Sequence, residues 1–312
     1  MGQRSQTPRP AQDQDSARTA CRPSQLAAPL ILGLTSRIML GAVSIRPPLR
    51  WAGSKRRSLS YLVRQCPDVI ANYVEPFAGS ACLAFALQPD ALILGDLNPY
   101  LTEFYEFLCR DPEALHAYYV YLEATPERYY EIRREFNAAT PSIERAARFL
   151  YLNRNCFNGI FRVNTKGKFN VPWGGNNVGA PLTLAELALA SALLRRAKII
   201  CADFATVLDT IDNPDTFVYL DPPYASNETR VFCEYNVQSF STKDWPRLVE
   251  QLDVLNTKGC RFLLSYAGDP DLITHLSKWN VDYIDVTRNV GGFKATRRKH
   301  REFVAANVGL LT

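Results

Sequence analysis

The sequence predicts an α/β fold: a doubly wound sheet interrupted by a helical block. Three observations carry that expectation. Asn72–Glu75 is a short apolar run followed by a small-residue turn, a helical stretch over 81–87, and a second run, Ala91–Asp96, that ends in an acid. Thr216–Leu220 is a further apolar and aromatic run, and it ends in Asp221-Pro222-Pro223-Tyr224. Between residues 102 and 194 the strand–helix alternation gives way to helical patterns. Short apolar runs bounded by turn residues read as buried strands. Strand, turn, helix and strand in that order open a doubly wound sheet, whose ligands gather outside the carboxyl ends of the strands.

The elements follow in order. Residues 1–25 are rich in Arg, Gln, Ser, Pro and Asp without periodicity, a composition that does not bury a core. Residues 26–45 are apolar but broken by Arg37, and Asp13, Asp15 and the long polar start argue against a targeting peptide. Met39 is the only methionine besides Met1 and precedes the first recognisable element, so it is a second candidate start. Residues 1–45 are therefore expected to be a disordered or non-native extension. A sheet domain is expected over 46–101 and 195–312, with 102–194 inserted. Helices are expected over Asn98–Arg110, Tyr118–Leu122, Tyr129–Phe136, Ile143–Tyr151 and Trp245–Leu255. Later strands are expected over Lys198–Cys201, Phe217–Leu220, Arg261–Ser265, Val281–Val286 and Phe303–Val308. The run from Asn153 to Gly179 reads as an irregular, functional loop.

Composition excludes several classes. The 312 residues are 47% hydrophobic, ordinary for a globular protein with a substantial core. A net charge of +5 fits a nucleic-acid partner without requiring one. The basic residues crowd at Lys294, Arg297, Arg298, Lys299, His300 and Arg301, which read as a solvated face or as phosphate contacts. The 8 Cys are scattered singly and the 3 His lie far apart, so no metal site is expected and the thiols read as reduced. No stretch is long and apolar enough to cross a membrane.

The motifs narrow the chemistry. In Asp221-Pro222-Pro223-Tyr224 the prolines have fixed φ and no N–H, so the carbonyls of Asp221 and Pro222 stay outside a helix, beside a carboxylate and a ring. That set accepts hydrogen bonds from an amino group and stacks on a planar base. A small-residue turn at Phe77, Ala78 and Gly79 allows close approach of a ligand, and Asp96 at the next strand tip can accept both hydroxyls of a ribose. The glycine fingerprint of dinucleotide sites and the Gly-Lys-Ser/Thr phosphate loop are both absent, which favours a nucleoside cofactor without pyrophosphate, of which S-adenosyl-L-methionine is the common one. Pro47–Lys55 joins Trp51 and Lys55 across a Gly-Ser turn, either a surface turn or a ring and a cation closing over a ligand. In Asn153–Pro172, amides, Arg and Lys alternate with aromatic residues, a set suited to reading and wedging bases.

On these residues the chain resembles the DNA adenine methylase (Dam) family of site-specific N6-adenine methyltransferases, from about Arg46 to Val308. Leu49–Lys55 resembles the family's N-terminal motif, Tyr73–Gly79 its cofactor motif, Gly95–Asn98 its acidic ribose-side motif and Asp221–Tyr224 its catalytic motif. Tyr151–Arg154 through Phe169–Gly174 is similar to its target-recognition segment. Ser80-Ala81-Cys82 stands where the family often has a further glycine step, Ser54 replaces the second glycine of the lysine motif, and 293–301 matches poorly.

The resemblance implies a Rossmann-like S-adenosylmethionine-dependent methyltransferase sheet with an inserted helical target-recognition subdomain. It implies that Trp51, Lys55, Asp96 and Asp221 contact the cofactor, that Phe77, Ala78 and Gly79 line its pocket, and that Asp203 and Phe204 meet its adenine. The catalytic candidates are Asp221, Pro222 and Tyr224, acting on an adenine flipped out of double-stranded DNA. The DNA-contact candidates are Phe157 as a wedge, Arg162 as a guanine reader, and Asn158 and Asn164 beside them. GATC is the expected target. A monomer acting on DNA in a bacterial or phage-type cytoplasm is expected, without membrane or metal, and a cognate restriction endonuclease would act separately. The rival readings are an N4-cytosine methyltransferase, which shares the amino-group chemistry, and a DNA-binding regulator without catalysis.

Overall fold

The computed structural model describes residues 44–223, 240–267, 270–289 and 297–311. Tyr224, Lys294 and the extension up to residue 43 lie outside the described residues. Seven strands form one sheet: β1 Asn72–Glu75, β2 Ala91–Asp96, β3 Ala197–Cys201, β4 Thr216–Leu220, β5 Arg261–Ala267, β6 Asn280–Asn289 and β7 Arg297–Ala306. Their order across the sheet is β3-β2-β1-β4-β5-β7-β6. The first five pair in parallel, whereas β7 runs antiparallel to both β5 and β6. The chain leaves β1 in one direction across the sheet and returns to β4 on its other side. The strand order therefore reverses between β1 and β4, where a doubly wound sheet opens a crevice at its carboxyl edge. Each strand tip singled out in the sequence borders this edge: Glu75, Asp96, Asp203 and Asp221.

The helices start where the sequence supplies caps. They are α1 Leu59–Gln65, α2 Cys82–Leu87, α3 Pro99–Arg110, α4 Pro112–Val120, α5 Pro126–Ala138, α6 Ile143–Asn155, α7 Leu184–Leu194, α8 Phe204–Asp209, α9 Trp245–Thr257 and α10 Pro270–His275. Asn98, Asp111 and Thr125 each cap a helix that has proline in its first turn, and their side chains accept from Tyr100, Ala114 and Arg128. Proline at the first helical position sacrifices an N–H that would be unpaired there in any case. Thr183 and Glu186 form a reciprocal capping box on α7.

Some boundaries depart from the sequence expectation. The helix expected over Tyr118–Leu122 is α4 and starts at Pro112; the Asp111-Pro112 cap was the signal that apolar periodicity passed over. Ala81 is not helical, because its φ of 50° lies in the left-handed region and joins the turn to α2. The last strand begins at Arg297 rather than Phe303, so the basic stretch is partly a ladder with β6. Within it Arg301 is exposed, 3.8 Å from Asp285 and over the Tyr283 ring.

Helices α3 to α7 interrupt the strand alternation, yet share a core with the sheet. Phe104, Leu108, Leu115, Phe149, Leu150 and Leu187 are buried in one cluster with Tyr73, Leu92, Leu94, Phe217 and Tyr219. A second cluster covers the other face, with Phe204, Val207, Leu248 and Leu252 packed on Val74, Val218 and Leu264. On that face Gly95 is a contact point. A Cβ there would lie 2.5 Å from Val207 Cγ2, too close for any side chain.

Gly95→Ala should therefore push α8 off β2. The expected cost is about 1–3 kcal/mol of overpacking, read as an earlier urea midpoint with an unchanged slope. An unaltered midpoint would show that α8 yields freely.

Candidate active site

The turn after β1 is built around one carboxylate. Asp96 Oδ2 accepts from the Gly79 N–H at 3.0 Å and Oδ1 from the Asn98 N–H at 2.9 Å. The Ala78 N–H donates to the Gly95 carbonyl at 2.8 Å, and Tyr105 donates its hydroxyl to the Gly79 carbonyl at 2.7 Å. Gly79 is required twice over. Its φ is +48°, and a Cβ there would lie 2.8 Å from Trp51 Cδ1. Trp51 thus lies flat against the turn, half-buried, and stacks on Phe161 with ring centroids 6.3 Å apart and planes 12° apart. Burial pushes the Asp96 carboxyl up to about 6, against the amides of Asn98, Gly79 and Leu97 that hold it down. A carboxylate at a strand tip, beside a glycine turn and an indole, fits the ribose of a nucleoside.

A second set of acids meets at the tips of β1 and β4. Lys55 is 4% exposed, and its ammonium lies 2.6 Å from Asp221 Oδ1. Ser265 at the end of β5 donates to the same oxygen at 3.3 Å and shares a 2.8 Å bond with Tyr219. Burial raises the Asp221 carboxyl above its ordinary range in spite of Lys55, with Glu302 adding to the rise. Glu75, the last residue of β1, is 2% exposed and accepts from Tyr73 at 2.7 Å. Burial pushes it up to about 8; the bonds from Tyr73 and from the Ala84 N–H of α2 lower it, and the charges of Asp221 and Asp96 raise it. Buried like charges cannot all ionise together, so Glu75 carries a proton at neutral pH. Burial likewise pushes the Cys82 thiol up to about 12, so it remains a thiol. A crevice with three carboxyl groups and one buried ammonium fits a ligand that brings its own positive charge.

The adenine-side candidates sit at the tip of β3. Asp203 caps α8 through the Ala205 N–H at 3.1 Å, and Arg247 of α9 pairs with its Oδ1 at 2.6 Å while lying over the Phe204 ring. Phe204 stacks on Phe77 at 5.3 Å, and Phe240 meets both rings edge-on. Phe77 is half-buried at the crevice, so the sequence-predicted residues at 77–79, 96, 203–204 and 221 converge on one edge of the sheet. Pro222 is buried next to Asp221.

The segment 153–179 lacks strands but is tightly held. Two isolated bridges, Cys156 to Trp173 and Val163 to Phe169, fold it into a hairpin-like shape. Phe169 exchanges two hydrogen bonds with the Asn137 amide, and Tyr129 and Arg133 both donate to the Val171 carbonyl. Phe157 is 39% exposed in the short turn that follows α6, and Asn158 beside it is exposed with φ 53°. Arg162 is half-buried and donates to Asn170 at 2.9 Å. Asn164 is exposed, but its side-chain oxygen accepts from the Lys166 and Lys168 amides and so builds the turn. Arg154 is turned inward: it donates to the carbonyls of Ala180 and Pro48, and burial lowers its pKa.

Sequence reading assigned no role to Glu75, Tyr105, Ser265 or Arg247. Ser265 and Glu75 carried a usable signal, each standing at the carboxyl end of a predicted strand. Tyr105 and Arg247 are single helix residues whose direction no local pattern reveals. Among the described residues no group of His, Cys, Asp and Glu is arranged to hold a metal, and no helix is long and apolar enough to cross a membrane.

Comparison with known proteins agrees with this geometry. The profile of a family described as D12 class N6 adenine-specific DNA methyltransferase matches residues 51–290. The type II methyltransferase M.MjaIII of Methanocaldococcus jannaschii is 31% identical over 280 residues, 82% of this chain and 96% of that protein. The type II methyltransferase M1.LlaDCHI of Lactococcus lactis subsp. cremoris is 31% identical over 276 residues, 86% and 97% of the two chains. The DNA adenine methylase of Escherichia coli K12 is 30% identical over 262 residues, 82% and 93%.

The protonated Glu75 has a consequence for stability. The folded state keeps its proton up to about pH 8, whereas the unfolded chain releases it near the ordinary carboxyl value of about 4.3. Between those values the native state binds more protons, so stability falls as pH rises. Glu75→Gln removes that slope. The melting temperature of the variant should gain on that of the unaltered protein from about pH 5 to about pH 8. Parallel curves would show that Glu75 is ionised in the fold.

Proposed function

The chain belongs to the D12 class N6 adenine-specific DNA methyltransferase family, and from that premise we propose that it transfers a methyl group from S-adenosyl-L-methionine to adenine N6 in double-stranded DNA, within GATC. The observation that carries the reading is the Lys55–Asp221 pair at the switch point. It fixes the acceptor carboxylate at the tip of β4, on the same edge as Asp96 and the Gly79 turn.

The residues divide the work. Asp96, with Gly79 and Trp51, receives the nucleoside of the cofactor, and Phe77, Ala78, Asp203 and Phe204 enclose its adenine. When bound, the cofactor supplies an electrophilic methyl on a sulfonium. Asp221 and the Pro222 carbonyl accept hydrogen bonds from the N6 amino group of the flipped target base. The amino lone pair is delocalised into the ring, and fixed acceptors placed where positive charge develops favour its release towards the methyl. Lys55 and Ser265 orient Asp221. Tyr224 is assigned to stacking on the flipped base. Direct transfer needs alignment rather than a covalent enzyme intermediate, so no cysteine is enlisted.

The 102–194 block is the target-recognition region in this reading, acting within a monomer. Phe157, exposed in the turn after α6, wedges into the stack, Arg162 reads guanine, and Asn158 and Asn164 border the contact. The sequence names of two relatives as type II methyltransferases suit a role beside a separately acting endonuclease.

Expression in a methylation-free host followed by N6-methyladenine mapping tests the proposal; methylation confined to GATC supports it, and methylation at another site or of cytosine N4 refutes the specificity or the acceptor. Asp221→Ala should remain folded and lose at least about a hundredfold in methyl transfer. A rate within a few-fold of the unaltered enzyme would refute the role of Asp221. Arg162→Ala should relax sequence preference. Equal weakening on every duplex would make Arg162 a phosphate contact.

A further inference from the structure

We propose that Asn153 is a positioning residue that couples the cofactor pocket to the target-recognition segment. The inference rests on the proposed pocket of Trp51, Gly79 and Asp96. Asn153 stands in the last turn of α6, 3% exposed. Its Oδ1 accepts from the Arg50 N–H at 2.8 Å and its Nδ2 donates to the Arg50 carbonyl at 2.6 Å. One side-chain amide thus grips both backbone groups of a single residue, as a neighbouring strand would. The partners are 103 residues apart in sequence, so the contact fixes the N-terminal motif to the start of the recognition segment rather than shaping a local turn.

The contacts continue in both directions. Arg50 donates its guanidinium to the Arg154 carbonyl at 2.8 Å, and a Cβ at Gly159 would lie 2.4 Å from Arg50 Cβ. Arg50 is therefore gripped by the α6 terminus and by the turn that displays Phe157 and Asn158. The next residue, Trp51, lies between the Gly79 turn and Phe161. Phe161 is in turn packed on Tyr100, Phe149 and Phe169. Packed rings at this density shift together rather than deform. When DNA displaces the recognition segment, Arg50 and Trp51 move with it and press on the Gly79 turn, whose N–H holds Asp96. Coupling of this kind is reciprocal, so cofactor and DNA must change each other's affinity by one common factor.

The test measures that factor. Cofactor dissociation constants are determined by calorimetry with and without a duplex carrying the site found by methylation mapping, for the unaltered protein and for Asn153→Ala. The unaltered protein should show mutual strengthening, and Asn153→Ala should reduce the factor by about tenfold, or to unity if it starts smaller. Phe161→Leu, which keeps the amide grip but removes the stack on Trp51, should reduce it as well and decides the matter if Asn153→Ala does not fold. Phe157→Ala should weaken DNA binding with the factor intact. An unchanged factor in both Asn153→Ala and Phe161→Leu, or no coupling in the unaltered protein, overturns the proposal. Asp96→Ala separates the underlying reading: if it binds cofactor as tightly as the unaltered protein, the pocket assignment has failed rather than the coupling.

Discussion

The buried ion pair between Lys55 and Asp221 is the interaction on which the rest of the site depends. The two residues come from opposite ends of the fold's logic, one from the N-terminal motif before β1 and the other from the tip of β4. Around them stand Glu75 and Asp96, with Ser265 and Tyr219 beside Asp221. Ionised carboxyls at that density would repel one another. The single ammonium offsets the charge of Asp221, and the proton on Glu75 removes a further one. Breaking a buried pair by removing one partner leaves an uncompensated charge and costs far more than an exposed pair would. The Lys55 ammonium therefore sets where Asp221 points and opposes the rise that burial imposes on that carboxyl.

That arrangement joins the sheet and the 153–179 segment into a single mechanical unit. The motif carrying Lys55 also carries Arg50 and Trp51, and those two residues are held by α6, the Gly159 turn and Phe161. Asn137 holds Phe169 in the same reciprocal way that Asn153 holds Arg50. Two amide side chains thus supply the pairing that an extra strand would give, and an irregular segment becomes a firm platform. The helices α3 to α7 meanwhile share one buried core with the sheet.

Much of this was legible in the sequence. Strand tips marked by Asp96 and Asp221 were visible because short apolar runs ended in an acid, and both lie on one edge of the sheet. The start of α4 is set by the Asp111-Pro112 cap, which apolar periodicity does not register. The protonated state of Glu75 was not legible, since it arises first from burial and then from the charges of Asp221 and Asp96, which only the parallel sheet brings together. The different surroundings of similar residues within 153–179 were also hidden. Asn158 and Asn164 look alike in sequence, but the Asn164 side-chain oxygen is spent on backbone amides. Arg154 and Arg162 look alike as well, but Arg154 is packed under Gly179.

A double-mutant cycle on Lys55→Gln and Asp221→Asn, read as single-turnover methyl transfer to an adenine-containing duplex, tests the central claim most directly. If the pair acts as one unit, each single substitution removes nearly all of the effect, and the double variant is no slower than the worse single one. Independent, additive losses would contradict the account and leave Asp221 positioned by something other than Lys55.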